Sequence, residues 1–224
     1  KPLVVMEHID PQYQPALDDL RTGAPEDDVD VTDPAYVDMM RDTVKWDDSG
    51  WPPFDMYRPI FEVIVERELQ VRGALFPRDK AMQVGQQGLA AADPQLVASY
   101  GLDQPLPEAE NKALLDVLVE SHCNTMPAEA MAPMVNIQRV RDAMLIDGME
   151  GQSHAVMIAG SGHVRRDWGS ARMLEGKDAL VIAFIQVDDG RTNAADYVEP
   201  SKPYDAIVFT PRVSDEDPCA AFKK

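Results

Sequence analysis

The side chains that could do chemistry are dispersed along this sequence rather than gathered in one motif. It contains no phosphate-binding P-loop, no serine-hydrolase G-x-S-x-G elbow and no histidine pair at helical spacing for zinc. The candidates that remain are Glu7, Tyr57, His122, Arg141, Asp142 and His163. Any site must therefore be assembled by the fold from distant positions.

His163 has the most suggestive local setting. It follows Gly160-Ser161-Gly162, which ends the apolar run Ala155–Ala159. That run has the length of a buried strand, and open α/β sheets place ligand sites at the carboxyl ends of their strands. A tight turn capped by a histidine explains the same pattern, so a ligand role and a structural role are both open.

Glu7 and His8 end another apolar run, Leu3–Met6, in the same way. A carboxylate and an imidazole at the end of a strand could be ligands or an acid–base pair. They could equally be solvated residues where a strand leaves the sheet.

Apolar runs and their spacing predict the elements that must position these residues. Three further strands are expected, and the run Ala179–Ile185 is apolar throughout, which predicts burial on both faces of a parallel sheet. Helices are expected between the strands. The alternation predicts an α/β fold with a mostly parallel central sheet flanked by helices. We predict a single domain over residues 1–224, to which 32–67 and 108–147 contribute a small helical subdomain. Besides Ala179–Ile185, the further predicted strands are Val71–Phe76 and Tyr204–Phe209.

Two of the predicted helices bear on a pocket. A helix from Phe54 to Glu68 places Tyr57 on its apolar face, with Arg58 beside it. It is preceded by another predicted helix, which begins at Thr32-Asp33-Pro34. Tyr57 could be a core tyrosine or the rim of a pocket. The helix from Pro127 to Asp147 carries a methionine stripe, which is either core packing or an adaptable wall for a large flat ligand.

Charge and composition exclude several classes of partner. Lys and Arg number 21 against 39 Asp and Glu, a net charge of −18, which disfavours nucleic acid and anionic membrane surfaces. An anionic ligand would need a local cluster of arginines. No apolar run reaches the roughly 20 residues of a membrane span. Spacing leaves both a disulfide and two free thiols open for Cys123 and Cys219, and we favour the disulfide.

Four blocks of the sequence resemble the ChaN-like haem-binding uptake proteins of the Tiki superfamily, bacterial lipoproteins linked to iron acquisition. The sequence departs from that family at Leu75, where an asparagine is expected, and it begins after the family's first strand, which ends in Gly-Glu-x-His. We therefore expect that a signal sequence or an earlier strand precedes Lys1 in the full protein. The four blocks are Trp46–Tyr57 with Arg72–Arg78, Ser121–Pro127, Gln138–Met144, and Gly160–Leu174.

The resemblance implies that haem is the cofactor and that Tyr57 is the iron ligand, since phenolate is an established haem ligand. It implies a homodimer enclosing haem, in which His163 hydrogen-bonds or ligates from the second copy. The candidate metal ligands are Tyr57, His163 and Glu7. It implies a location in the bacterial periplasm or outer membrane, with a lipid anchor in a segment outside this chain. The arginines expected to offset the haem propionates are Arg58, Arg78, Arg165 and Arg166.

Two other functions are compatible with the sequence. The first is a metal-dependent hydrolase of the Tiki type, which would use Glu7, His163 and the absent upstream motif. The second is a non-catalytic accessory subunit of an envelope complex. The resemblance favours a binding protein over an enzyme.

Overall fold

The computed structural model of the protein describes residues 1–22, 34–174, 176–188, 190–214, 217, 219 and 220. The chain divides into two compact units. The first comprises Lys1–Pro77 and Met144–Ala159, and the second comprises Arg78–Ala143 and Gly160–Lys224. None of the described helices is long and apolar enough to cross a membrane.

The first unit is built on a parallel three-stranded sheet in the order β2-β1-β3. Leu3 pairs with Gln70 on one side and with Ala155 on the other, and the register holds to Met6. β1 is therefore the central strand, and all four of its residues are buried. The elements of this unit are β1 (Leu3–Met6), α1 (Gln14–Thr22), α2 (Pro34–Thr43), α3 (Arg58–Glu66), β2 (Gln70–Gly73) and β3 (Ala155–Ile158).

Backbone hydrogen bonds hold the chain where it leaves β1. The Met6 carbonyl accepts from Ala74 N at 2.9 Å, and the Ile9 carbonyl accepts from Leu75 N at 3.0 Å. This approach needs a glycine at position 73, because a Cβ there would lie 2.6 Å from the Ile9 carbonyl oxygen. The turn that carries Glu7 and His8 is thus fixed by the residues that follow β2.

The helix around Tyr57 differs from the prediction. α3 begins at Arg58, after a short 3-10 turn over Phe54–Met56, so Tyr57 is the N-cap residue. The prediction of one helix from Phe54 was wrong because Pro59 has no N–H to donate and fits only the first helical turn. α2 begins at Pro34, while Thr32 and Asp33 of its predicted cap lie outside the described residues.

The second unit contains the methionine-bearing helix and a separate pair of strands. Met131 is fully buried in a cluster with Leu114, Leu118 and Trp168, so it packs in the core. The disulfide of this unit joins Cys123, just after the helix Glu108–Ser121, to Cys219, as we favoured from the sequence. The elements are α4 (Arg78–Gln87), α5 (Pro94–Ser99), α6 (Glu108–Ser121), most of α7 (Ala128–Asp147), β4 (Ile182–Gln186) and β5 (Ala206–Thr210).

β4 and β5 form a two-stranded parallel sheet. The prediction that Ala179–Ile185 is buried on both faces was wrong: Phe184 is 67% exposed, while its neighbour Ala183 is 1% exposed. Only one face of the strand is covered. The α/β prediction is confirmed, with helices accompanying parallel strands in a three-stranded and a two-stranded sheet.

Asp205 ties this strand pair to the chain after the glycine turn. Its carboxylate accepts from Arg166 Nη2 at 2.6 Å and from Val181 N at 2.7 Å. The Arg166 hydrogen bond, followed by that of Val181, lowers the pKa of Asp205. A carboxyl with a lowered pKa in the folded state stabilises the protein above its unfolded pKa, and this contribution disappears as the pH falls through the folded value.

We expect Gly73→Ala to destabilise the protein by about 1–3 kcal/mol, because the added methyl group meets backbone that cannot move independently. Denaturant unfolding of both proteins measures this. The control is Gly85→Ala in α4, where the nearest atom is the end of the Ile137 side chain at 3.2 Å and alanine favours the helix. Equal stability of Gly73→Ala and wild type would contradict the close packing at Ile9.

We expect Asp205→Asn to lower the midpoint of urea unfolding at pH 7, because asparagine keeps the acceptor for Val181 N but loses the charge that faces Arg166. The difference from wild type should narrow as the pH falls below about 4 and close beneath the lowered pKa. Asp188→Asn, which alters an exposed pair with Arg191, serves as the control and should change little. A difference independent of pH would mean that the charge is not responsible.

Candidate functional site

The exit of β1 places a carboxylate and an imidazole inside the first unit. The Glu7 amide donates to the Ile158 carbonyl at 3.1 Å, which continues the ladder between β1 and β3. Glu7 and His8 are 8% and 7% exposed. The interpretation of both as solvated residues at a strand exit was therefore wrong, and both are buried where parallel strands present ligand sites.

His8 lies within an aromatic cluster formed with Trp46, Trp51 and Tyr57. The His8 ring centroid is 4.5 Å from that of Trp51, 4.7 Å from Tyr57 and 5.8 Å from Trp46. Trp46 is 1% exposed, and its indole N–H donates to the Pro52 carbonyl at 2.9 Å. This hydrogen bond ties the turn before α3 to the cluster and so fixes the approach to Tyr57.

The surroundings of the His8 imidazole favour its uncharged form. Burial lowers its pKa, and the charge of Glu7 opposes that effect only in part. Its Nδ1 is buried without a hydrogen-bond partner in the described part of the chain. A buried polar atom left unpaired costs about 1–3 kcal/mol, so this arrangement is not one that packing alone would select.

Tyr57 presents its hydroxyl from the N-cap position of α3. The side chain is half-buried against His8 and Trp46, and no residue that the structure describes hydrogen-bonds to the hydroxyl. Burial, followed by the nearby charge of Glu7, raises the pKa of Tyr57. The group is therefore a neutral phenol whose oxygen is available to an electrophile such as a metal.

Arg58, next to Tyr57, already has anionic partners. Its guanidinium donates to Asp38 at 2.7 Å and to Asp55 at 3.3 Å and lies over the Phe54 ring. The Asp38 hydrogen bond raises the pKa of Arg58. Its charge is compensated at the surface, so an anionic group of a ligand would compete with two carboxylates.

In the second unit, His163 pairs with Asp142 of α7. His163 Nδ1 lies 2.7 Å from Asp142 Oδ1, and the two residues are 8% and 1% exposed. A buried carboxylate on Nδ1 orients the ring and selects its tautomer, the arrangement found behind metal-binding and proton-transferring histidines.

The glycine turn holds the His163 backbone from both sides. His163 N donates to the Gly160 carbonyl at 2.8 Å, and the His163 carbonyl accepts from Ser170 N at 2.7 Å. Gly169 is required here because a Cβ would lie 2.7 Å from the His163 carbonyl oxygen. The turn is therefore a specific structure that positions the Asp142–His163 pair.

Arg165 and Arg166 follow this turn and are also occupied by carboxylates. Arg165 donates to Asp167 and Glu199 at 2.7 and 2.6 Å. Burial lowers its pKa, but the hydrogen bonds to Glu199 and Asp167 outweigh burial, so the pKa is raised. Arg166 bonds to Asp205. Both side chains thus bind carboxylates of the protein itself and stabilise the fold.

The structure groups the sequence candidates by unit. Glu7 and Tyr57 lie together in the first unit with His8, whereas Asp142 and His163 lie together in the second. His122 has a local role, since its Nδ1 contacts the Leu118 carbonyl at 2.8 Å and caps α6. Within the described residues, no group of three or more His, Cys, Asp or Glu side chains is placed to hold a metal ion.

Sequence reasoning missed the pairing of Asp142 with His163 and the place of His8 in the aromatic cluster. Asp142 follows Arg139 and Arg141 on α7, so the local sequence offered nearer cationic partners than His163. A buried carboxylate needs a partner. Nothing in the sequence named that partner.

Comparison with known proteins gives a consistent result. The family model described as haem-binding uptake, Tiki superfamily, ChaN matches residues 1–174. A solved structure, described as cofacial heme binding to ChaN of Campylobacter jejuni, is similar with a TM-score of 0.61 and 17% sequence identity. The similarity covers 84% of this chain and 70% of that chain. At this identity the likeness shows a shared fold. The comparison with curated proteins found no match.

Proposed function

This chain belongs to the ChaN family of haem-binding uptake proteins in the Tiki superfamily, and we propose that it binds haem with the Tyr57 oxygen as the iron ligand. The family resemblance seen in the sequence is thereby confirmed. Family membership supports haem as the cofactor. The assignment of Tyr57 is our own and is supported by the surroundings of its side chain.

The observation that carries the assignment is the Tyr57 hydroxyl in the aromatic cluster, to which no residue that the structure describes forms a hydrogen bond. Phenolate oxygen is an established ligand of haem iron, and the rings of His8 and Trp46 pack against the Tyr57 ring. Haem would supply a ferric iron as a Lewis acid and a large apolar face. Trp51, which is half-buried, offers an aromatic surface of matching character.

Iron ligation at Tyr57 requires the phenol to lose its proton. Burial and the charge of Glu7 raise the pKa of Tyr57, so the metal-free protein holds that proton more firmly than free tyrosine does. Metal binding to a protonated ligand releases the proton. The charge of Glu7 therefore favours the protonated phenol in the metal-free protein and would attract the positive charge of the iron.

We also propose the finer features that the family suggests. Haem would be shared in a homodimer, with His163 of the second copy contributing a hydrogen bond or a ligand, and the protein would serve iron uptake at the bacterial envelope. Among the predicted propionate partners, Arg58 and Arg165 would have to exchange a carboxylate for a propionate. Mass measurement of the haem-loaded protein distinguishes a dimer from a monomer.

A metal-dependent hydrolase is the second candidate, favoured by the Asp142–His163 pair. A carboxylate behind a histidine is typical of a metal ligand. Metal analysis of the purified protein tests it, together with His163→Ala. Bound divalent metal that His163→Ala abolishes would support this candidate over haem binding.

We expect Tyr57→Phe to weaken hemin binding at least tenfold and to abolish the visible spectrum of a ferric tyrosinate complex, because the ring is retained while the oxygen is lost. The measurement is a hemin titration followed by absorption. The matched control is Tyr36→Phe in the same core, whose hydroxyl donates to the Leu20 carbonyl at 3.3 Å and which should bind hemin as wild type does.

Two results would contradict the proposal in different ways. Wild-type protein that shows no saturable spectral change with hemin would exclude haem binding itself. Tyr57→Phe with an unchanged spectrum and affinity would leave haem binding in place and exclude Tyr57 as the ligand.

A further inference from the structure

A cavity of about 800 Å³ lies in the first unit, at the end of the sheet opposite Glu7. It is enclosed by α1, α2, α3 and the first residues of β1 and β2, which include Leu3 and Gln70. Ligand pockets commonly enclose about 300–1,000 Å³, so this volume suffices for a small molecule. Glu7 lies about 13 Å from Leu3 along an extended strand. The cavity is therefore distinct from the surroundings of Tyr57, which is not among the described residues that line it.

Hydrogen bonds set the position of the cavity wall that α1 forms. Gln14 Nε2 donates to the Val71 carbonyl at 2.9 Å, and Gln14 Oε1 accepts from Gly73 N at 3.0 Å. One side chain thus satisfies an acceptor and a donor of the β2 backbone, as a neighbouring strand would do. Because α1 is attached to β2 in this way, the space beside them is a defined part of the fold.

The interior of the cavity is mainly apolar. Tyr36, which is buried there, has its hydroxyl engaged, because it donates to the Leu20 carbonyl at 3.3 Å. An aliphatic chain matches such walls, whereas the backbone amides of a bound peptide would be left unpaired against them. The apolar residues come from the three helices and from the turn after α3, and they are Leu17, Leu20, Met40, Ile64, Val65 and Leu69.

One cation at the cavity has no anionic partner in the described part of the chain. Arg21 is exposed in the last turn of α1, and it forms no hydrogen bond or ion pair with any residue that the structure describes. It is therefore available to an anionic group of a ligand. The other charged residues that line the cavity have partners: Lys1 with Glu68, Arg72 with the Gly148 carbonyl, and Asp18 with Gln14.

The place of Arg21 on its helix also has a purely structural explanation. The carbonyl groups at the C-terminus of a helix carry partial negative charge, which favours a cation there. Arg67 is in the same setting as the C-cap residue of α3, but it is not among the described residues that line the cavity. The two arginines therefore form a matched pair that separates stabilisation of a helix end from binding of a ligand.

We propose that this cavity binds a long-chain fatty acid, with the alkyl chain against the apolar walls and the carboxylate at Arg21. A carboxylate carries one negative charge, and a guanidinium can donate two parallel charge-assisted hydrogen bonds to it. The alkyl chain would leave water for side chains of matching character. This site does not depend on haem binding at Tyr57.

The first experiment is a calorimetric titration of the protein with dodecanoate, below the concentration at which dodecanoate forms micelles. We expect saturable binding by wild type. Affinity should fall from dodecanoate to decanoate to octanoate, by about fourfold for each methylene group that is no longer buried. Affinity that does not change with chain length would contradict an apolar cavity as the site.

The second experiment tests the contribution of charge with methyl dodecanoate, which keeps the chain and lacks the carboxylate. We expect Arg21→Gln to weaken dodecanoate binding about tenfold, because a charge-assisted hydrogen bond is lost, and to leave binding of the ester unchanged. The matched control is Arg67→Gln, which alters an exposed arginine whose ion pair is with the adjacent Glu66. It should bind both ligands as wild type does.

A third variant, Leu20→Phe, tests the wall of the cavity. Leu20 is half-buried, and a larger side chain reduces the space for the alkyl chain. We expect it to weaken binding of dodecanoate and of its methyl ester by a similar factor. The control is Val63→Phe, because Val63 is 50% exposed on α3 and is not among the described residues that line the cavity.

The outcomes separate this site from the proposed function. Wild type that shows no saturable binding of dodecanoate would exclude the site, and so would equal affinity of Arg21→Gln and wild type. Hemin-loaded protein should bind dodecanoate as haem-free protein does, and a loss on loading would place the fatty acid at the haem site instead. If wild type does not bind hemin, the titrations with dodecanoate still decide the role of the cavity. Unfolding curves verify that the variants are folded.

Discussion

The central position of β1 is the constraint on which the first unit depends. Its four residues pair with a strand on each side. Backbone hydrogen bonds from Ala74 and Leu75 hold the chain that follows β1, and this close approach requires that Gly73 has no side chain. Without these bonds, Glu7 and His8 would leave the sheet into solvent. With them, a carboxylate and an imidazole are buried at the carboxyl end of the parallel strands, where open α/β folds place ligand sites. The aromatic cluster and Tyr57 then pack on a surface that is already fixed.

Local sequence features predicted the secondary-structure elements better than they predicted the burial of those elements. Apolar runs identified each of the five strands in the part of the chain that the structure describes, because strands that pack in a sheet are rich in apolar residues. Burial was another matter: Ala179–Ile185 looks like a strand covered on both faces, yet it pairs with one neighbour and exposes Phe184. Whether the faces of a strand are buried depends on the elements that pack against it, so the sequence of the strand alone does not determine it.

The candidate sites show the same limit. Tyr57 and His163 could be selected from residue type and local context, and the resemblance gave Tyr57 a role. Their immediate environment could not be predicted, because the partner of His163 is 21 residues away on another element and the neighbours of His8 come from the turn before α3.

The disulfide between Cys123 and Cys219 has a consequence for the integrity of the chain. It closes a covalent ring that spans 96 positions and contains α7, the glycine turn and both strands of the smaller sheet. In the chain-entropy account, a ring of this length lowers the entropy of the unfolded chain and raises the free energy of unfolding by about 4.7 kcal/mol. A protease that cuts once inside the ring opens it but releases no fragment, so Asp142, His163 and the C-terminal strands stay on one molecule. Nicked protein would keep its mass until the disulfide is reduced, and only then would it separate into two pieces.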